Sequence, residues 1–154
     1  MNKKTTPQDA STYFESWGLL MRARRVLYKL REKDMRKRKL GIRPEEAGIL
    51  WVCIKDENAS PATIARSYLR EPHTVWVQIQ VMLKKGLVTL EQNPKWKNRL
   101  IVHATDKGRE LYAKSLDYEF FEKLYSPLND QEIAQLDRLL EKICTPNTEW
   151  LYNF

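Results

Sequence analysis

The chain has 154 residues, 42% of them apolar, five Trp, seven Tyr and a formal net charge of +7. That length favours one domain with enough apolar material for a packed core, and the aromatic content excludes a disordered chain. No apolar run approaches the roughly 20 residues of a membrane span. Two histidines, no nucleophile motif, no glycine-rich phosphate loop and no metal-ligand spacing leave no basis for catalysis, a cofactor or a metal.

The start, MNKKTTPQDAST, has basic residues but no apolar segment after them, so no signal peptide is expected and the protein is read as cytoplasmic. Cys53 and Cys144 lie in no CxxC and are expected to be reduced, mostly buried thiols. Charge is unevenly spread. Residues 1–43 carry 13 Lys/Arg against 4 Asp/Glu, and residues 105–154 carry 6 against 10. A basic front and an acidic back suggest an anionic partner for one side only, nucleic acid being the commonest, with a solvated basic face as the alternative.

A first helix is predicted from Thr12 to Lys39, capped by Ser11 and ended at Gly41, with Trp17, Leu20, Met21, Leu27, Tyr28 and Leu30 at helical spacing. About 28 residues, roughly 40 Å, is more than a small domain needs for itself and reads as a dimerisation helix. The cluster Arg36-Lys37-Arg38-Lys39 complements its negative end, with proximity to a DNA backbone as a second role. Pro44 opens a second helix, where Glu45 and Glu46 favour the positive end of the dipole and Ile49, Leu50, Val52, Cys53 and Ile54 form the buried side.

Ser60-Pro61 opens a third helix with Ile64, Ala65, Tyr68 and Leu69 inward, and Pro72 opens a fourth after a short turn. Such a pair matches a helix-turn-helix. In the fourth helix Val75, Ile79, Met82 and Leu83 make one apolar face. The opposite face carries His73, Thr74, Val77, Gln80, Val81 and Lys84, with Trp76 at the border. Two bare valines and a tryptophan are unusual on a solvent face.

Two strands follow, 87–91 and 99–104, the second with Leu100, Val102 and Ala104 on one face. They are joined across Asn93-Pro94 and the basic stretch Lys95-Trp96-Lys97-Asn98, and read as a β-hairpin wing. Thr105 caps a fifth helix carrying Leu111, Tyr112, Leu116, Phe120, Phe121 and Leu124 up to Pro127. Asn129-Asp130-Gln131-Glu132 is a capping-box-like start to a sixth, which Thr145-Pro146-Asn147 is expected to stop. The apolar tail, 149–154, is expected to pack on its own helices or on a second subunit. The fold class is therefore mainly α with a small β-hairpin wing. It is read as a single domain, 1–154, with a winged helix-turn-helix at 44–104 flanked by dimerisation helices at 11–40 and 105–154.

Between Ser60 and Tyr112 the chain resembles the MarR (multiple-antibiotic-resistance regulator) family of transcription factors. The matching pieces are "IA" in the first helix of the pair, "TV" opening the second, "LKKGLV" closing it and "ATDKG" beginning the next helix. The resemblance extends over about residues 12 to 145 and is strong over the middle third. It departs at Ala104, where the family has leucine, and at Trp96, Lys97 and Asn98, where the family's wing has an acid followed by arginines; Arg99 comes next.

The resemblance implies a homodimer interlocked through its first, fifth and sixth helices. These hold more large apolar side chains than one winged-helix core can absorb. A two-fold protein implies a pseudo-palindromic operator in double-stranded DNA, with half-sites about one helical turn apart. The outer face of the fourth helix is then expected in the major groove. There Gln80 would pair with adenine, and Thr74, Val77 and Val81 would take thymine methyls. His73 and Lys84 are placed for phosphate, and Trp76 for packing at the helix edge. Lys95, Lys97 and Arg99 are candidates for phosphate or minor-groove contact, and for Lys84 and Lys85 simple solvation is the alternative.

The family also implies a switch, commonly a repressor released by a small aromatic or amphipathic effector. Trp17, Met21, Tyr28, Trp51 and Tyr112 are the candidate lining, with plain core packing as the alternative. The competing function is a winged-helix module for protein assembly, which the apolar outer face of the fourth helix favours.

Overall fold

The computed structural model describes the backbone of residues 10–152 and the side chains of 12–148 and 151. Among these residues the order of elements is α1 (Ala10–Lys37), α2 (Pro44–Lys55), α3 (Pro61–Ser67), α4 (Pro72–Lys84), β1 (Val88–Gln92), β2 (Leu100–Ala104), α5 (Asp106–Ser115), α6 (Tyr118–Tyr125) and α7 (Asp130–Tyr152). They gather into two compact units, one up to Leu116 and one from Asp117 onward.

Local signals set the helix ends of the first unit. Pro44, Pro61 and Pro72 each stand at the start of a helix, where the missing N–H costs nothing. Ser60 accepts from the Thr63 N–H at 3.1 Å, and Thr105 accepts from Gly108 N–H at 3.0 Å. Three helices close with the same paired bonds back into their last turn. Leu40 and Lys39 donate to Met35 and Arg36 carbonyls, Arg70 and Leu69 to Ala65 and Arg66, and Leu87 and Gly86 to Met82 and Leu83. The pivot of each is left-handed, and only one of the three, Gly86, is a glycine; Lys39 and Leu69 bear side chains there. Leu69, expected to face inward, is exposed for that reason: the left-handed pivot swings it away from the Ile64–Ala65 side.

The core collects the inward faces of α2, α3, α4 and the wing around Leu50, Ile64, Ile79, Met82 and Val102, all fully buried. The strands pair antiparallel with Leu90 opposite Val102 and Gln92 opposite Leu100. Ile101, outside the expected inward set, is also buried. On the other edge of β2, Val102 N–H donates to Ala59 at 2.8 Å, tying the wing to the loop before α3. Ala10 and Ser11 are already helical, so Ser11 lies inside α1 instead of capping it.

The expected fifth helix is two. Arg38 donates to the Lys114 carbonyl at 2.7 Å, and Arg31 donates to the Ser115 carbonyl. These side chains occupy acceptors that a continuing helix would use, and Leu116 leaves the helical conformation. Asp117 then caps α6 by accepting from Glu119 N–H at 3.1 Å.

In the second unit Asn129 accepts from the N–H groups of Gln131 and Glu132, and Glu132 accepts from Asn129 N–H, a complete capping box. Pro146 does not stop α7 as expected. Just beyond it Asn147 Nδ2 donates to the Ile143 carbonyl at 2.6 Å and Thr148 Oγ1 to the Cys144 carbonyl at 2.8 Å, while the carbonyl to which the proline has no N–H to donate is that of Lys142. In the tail Leu151 is exposed; the docking expected of Trp150, Tyr152, Asn153 and Phe154 falls on side chains outside the described residues. Cys144 is exposed, against the expectation of a buried thiol.

Candidate nucleic-acid interface

Helix α4 divides along the line its sequence predicts. Val75, Ile79 and Met82 are buried and Leu83 half-buried, while His73, Thr74, Trp76, Val77, Val81 and Lys84 are exposed and Gln80 is half-buried. Val77 keeps 50% of its surface in solvent, which no core role explains.

The rotation of this helix is held by a carboxylate that the sequence reading assigned to the helix dipole alone. Glu46, in the first turn of α2, is 1% exposed. It accepts from Lys85 Nζ at 2.7 and 2.9 Å, from Gln78 Nε2 at 3.3 Å and from the Arg43 N–H at 2.8 Å. Lys85 also reaches the Gly41 carbonyl at 3.3 Å. The alternative that Lys85 is simply solvated does not hold: a buried anion needs a cation, and Lys85 reaches it. Two side chains of the α4 segment, two turns apart, end on one fixed group.

The "ATDKG" motif has an equally physical role. Thr105 Oγ1 donates toward the carbonyls of Gly86 and Leu87 at 2.8 and 3.1 Å while accepting the α5 N-terminal bond. Gly108 lies so close to the α4–β1 junction that a Cβ there would stand 2.2 Å from the Leu87 carbonyl oxygen. Lys107 Nζ donates to the Lys85 carbonyl at 2.7 Å. The end of α4 is therefore clamped from both α2 and α5.

In the wing, Asn93 Oδ1 accepts from Lys95 and Trp96 N–H, and the loop closes through Arg99 N–H to the Trp96 carbonyl and Asn93 N–H to the Arg99 carbonyl, both 2.8 Å. Lys95, Trp96, Lys97, Asn98 and Arg99 are all exposed. The Arg99 guanidinium lies over the Trp96 ring, 5.4 Å from its centroid. His103 and Glu91 pair across the strands at 2.9 Å. A cleft of about 590 Å³ separates α3 from the wing, lined by Ser60, Thr63 and Arg66 on one side and Asn98 and Arg99 on the other.

The five candidate pocket residues do not share a described cleft. Trp17, Met21 and Tyr28 lie on α1, Trp51 on α2 and Tyr112 on α5, and Trp17 is 62% exposed. A smaller cavity of about 170 Å³ lies between α2, α3 and α4, lined by Arg43, Glu45, Ile49, Tyr68, Arg70, Thr74, Val75 and Gln78. Tyr28 donates to Glu45 at the α1–α2 contact; burial and that bond push its hydroxyl up to about 12. Burial also raises the Tyr68 hydroxyl, with Tyr112 and Glu45 adding to it. Sequence reasoning missed Glu46, Gln78, Lys85 and Gly108. The "RPEE" start hinted only at a helix beginning, and nothing local names a partner 39 residues away.

Among the described residues no group of His, Cys, Asp and Glu could hold a metal ion, and no helix is long and apolar enough to cross a membrane. No protein-family model and no curated protein matches the sequence. Solved structures do match it. A MarR-family transcriptional regulator from Rhodococcus sp. RHA1 superposes with a TM-score of 0.77 and 16% identity, over 92% of this chain and 98% of that one. CouR from Rhodococcus jostii RHA1, solved with p-coumaroyl-CoA, gives 0.73 and 18%, over 83% and 90%. The organohalide-sensing RdhR regulator, solved with 2,4-dichlorophenol, gives 0.78 and 17%, over 96% and 90%. At such identities the likeness is one of fold. With seven helices and one wing in this order among its described residues, the chain has the winged helix-turn-helix fold of MarR-family transcriptional regulators.

Proposed function

We propose that the chain is a MarR-family transcription regulator, a cytoplasmic homodimer that binds a pseudo-palindromic operator in duplex DNA and acts as a repressor. The observation that carries this reading is the outer face of α4: exposed, partly apolar, and held at a fixed rotation by Glu46 and Thr105 beside a basic wing. Gln80 reads adenine, Thr74, Val77 and Val81 meet thymine methyls, Trp76 lies at the edge of the contact, and His73, Lys84, Lys95, Lys97 and Arg99 serve the backbone and minor groove. The cleft between α3 and the wing, with Arg66 and Arg99 at its sides, suits a phosphate strand. Enzymatic activity has no place in the reading.

Dimerisation is supported by apolar side chains that each unit leaves in solvent: Tyr13, Phe14, Trp17 and Leu19 on α1, and Leu139 and Ile143 on α7. A small aromatic or amphipathic effector is supported by the ligands of CouR and RdhR. In a dimer, a second chain would complete a pocket around Trp17, Met21, Tyr28, Trp51 and Tyr112.

Selection of genomic fragments with the purified protein tests the function: enriched inverted repeats, bound by a dimer in sedimentation, are the expected result. The second reading, protein assembly, is favoured by the exposure of Trp76, Val77 and Val81. Weak, sequence-indifferent DNA binding would support it over the first.

A further inference from the structure

The wing tip pairs an exposed tryptophan with an exposed arginine, and neither has a core role. Trp96 keeps 57% of its surface in solvent. The turn that begins at its carbonyl returns at Arg99, and this brings the guanidinium over the indole ring, 5.4 Å from its centroid. Asn93 holds the Trp96 backbone from the other side, so the stem that carries the ring is placed by the loop and not by burial. A cation–π contact holds the guanidinium by its charge and uses none of its N–H donors as ring hydrogen bonds, so they remain available to a further partner.

Resting on the DNA-binding reading above, we propose that Trp96 is a positioning residue. Its ring holds Arg99 in the orientation in which the guanidinium edge enters a minor groove, and so sets a preference for A·T-rich flanks. The chemistry is specific. A narrow A·T minor groove has an enhanced negative potential that favours an inserted arginine. An arginine already ordered on a ring loses less freedom on entering than one on a mobile tip. Lys95 and Lys97, exposed on either side of Trp96, meet the phosphates that wall the groove. Trp96 thus does, by stacking, what an acidic neighbour would do by ion pairing.

The experiment uses the full chain and duplexes selected from a random-sequence pool, each made with A·T or G·C flanks. Trp96→Ala weakens binding to the A·T-flanked duplex about five- to thirtyfold, Arg99→Ala weakens it at least as much, and the double variant is no worse than Arg99→Ala. Trp96→Phe, which keeps a ring face, retains most of the affinity. Unlike the parent chain, Trp96→Ala no longer distinguishes the two flanks, although its thermal melt is unchanged. Multiplying losses in the double variant, or flank discrimination that survives Trp96→Ala, overturns the proposal while leaving DNA binding intact. A parent chain that binds no selected duplex overturns the DNA-binding reading and this proposal together.

Discussion

Glu46 and Lys85 form an ion pair 2.7 Å long that joins the first turn of α2 to the end of α4. The carboxylate is 1% exposed and the lysine side chain 37%. Removing the cation strands a buried anion, whereas removing the anion lets the lysine return to water, so the two deletions are not equivalent. Lys85→Met should cost about 2 kcal/mol, short of the roughly 3–5 kcal/mol of a fully buried pair because water screens the lysine end. Urea unfolding measures it. A loss below about 0.5 kcal/mol, the level of an ordinary surface change, would show that Glu46 is satisfied without Lys85.

Gly108 should not tolerate a methyl group. Alanine is the better helix former by about 1 kcal/mol. Its Cβ would nevertheless meet the Leu87 carbonyl oxygen at 2.2 Å and Leu50 Cδ2 at 2.8 Å, and the first of these is backbone. Gly108→Ala is expected to destabilise by about 2–4 kcal/mol and to loosen the α4–β1 junction. A thermal melt equal to or above that of the parent would contradict the close approach.

The two cysteines should behave oppositely. An aromatic disulfide reagent is expected to label exposed Cys144 at once and buried Cys53 only after unfolding. Burial pushes the Cys53 thiol from 9.0 up to about 12, so the folded chain holds this proton more tightly than the unfolded chain. The stability it contributes is complete below pH 9 and is lost as pH rises toward 12. Cys53→Ala should therefore lose stability less steeply than the parent between pH 9 and 11, while Tyr28 titrates in both. Parallel profiles would remove Cys53 from the alkaline transition.

For DNA, replacing Lys95, Lys97 and Arg99 together with alanine should weaken binding to all duplexes and flatten the log–log salt dependence by up to about three slope units. Unchanged binding would take the wing out of the interface. Gln80→Ala should cost about 1–3 kcal/mol on the selected operator and much less on random duplex. Equal losses on both would remove Gln80 from base readout.

Much of the fold is legible in the chain because the signals are local. Ser60, Thr105 and Asn129 cap helices within three residues of themselves, and the prolines at 44, 61 and 72 mark starts by lacking an N–H. The spacing of Val75, Ile79 and Met82 sets the buried side of α4. Where local signals misled, a side chain intervened. At the end of α5 it was Arg31 and Arg38, reaching from another helix.

By itself, then, the sequence determined the order of elements through the wing, the capped starts at Ser60, Thr105 and Asn129, and which face of α4 is apolar. These follow from contacts a few residues long, whose energies act wherever the segment lies. Tertiary structure decided which charges are solvated and which are structural. Glu45 and Glu46 are neighbours of the same type, yet one meets Tyr28 and the other takes Lys85, Gln78 and the Arg43 N–H. A buried charge must find its partner in space, and that distance exists only once α2 and α4 have packed.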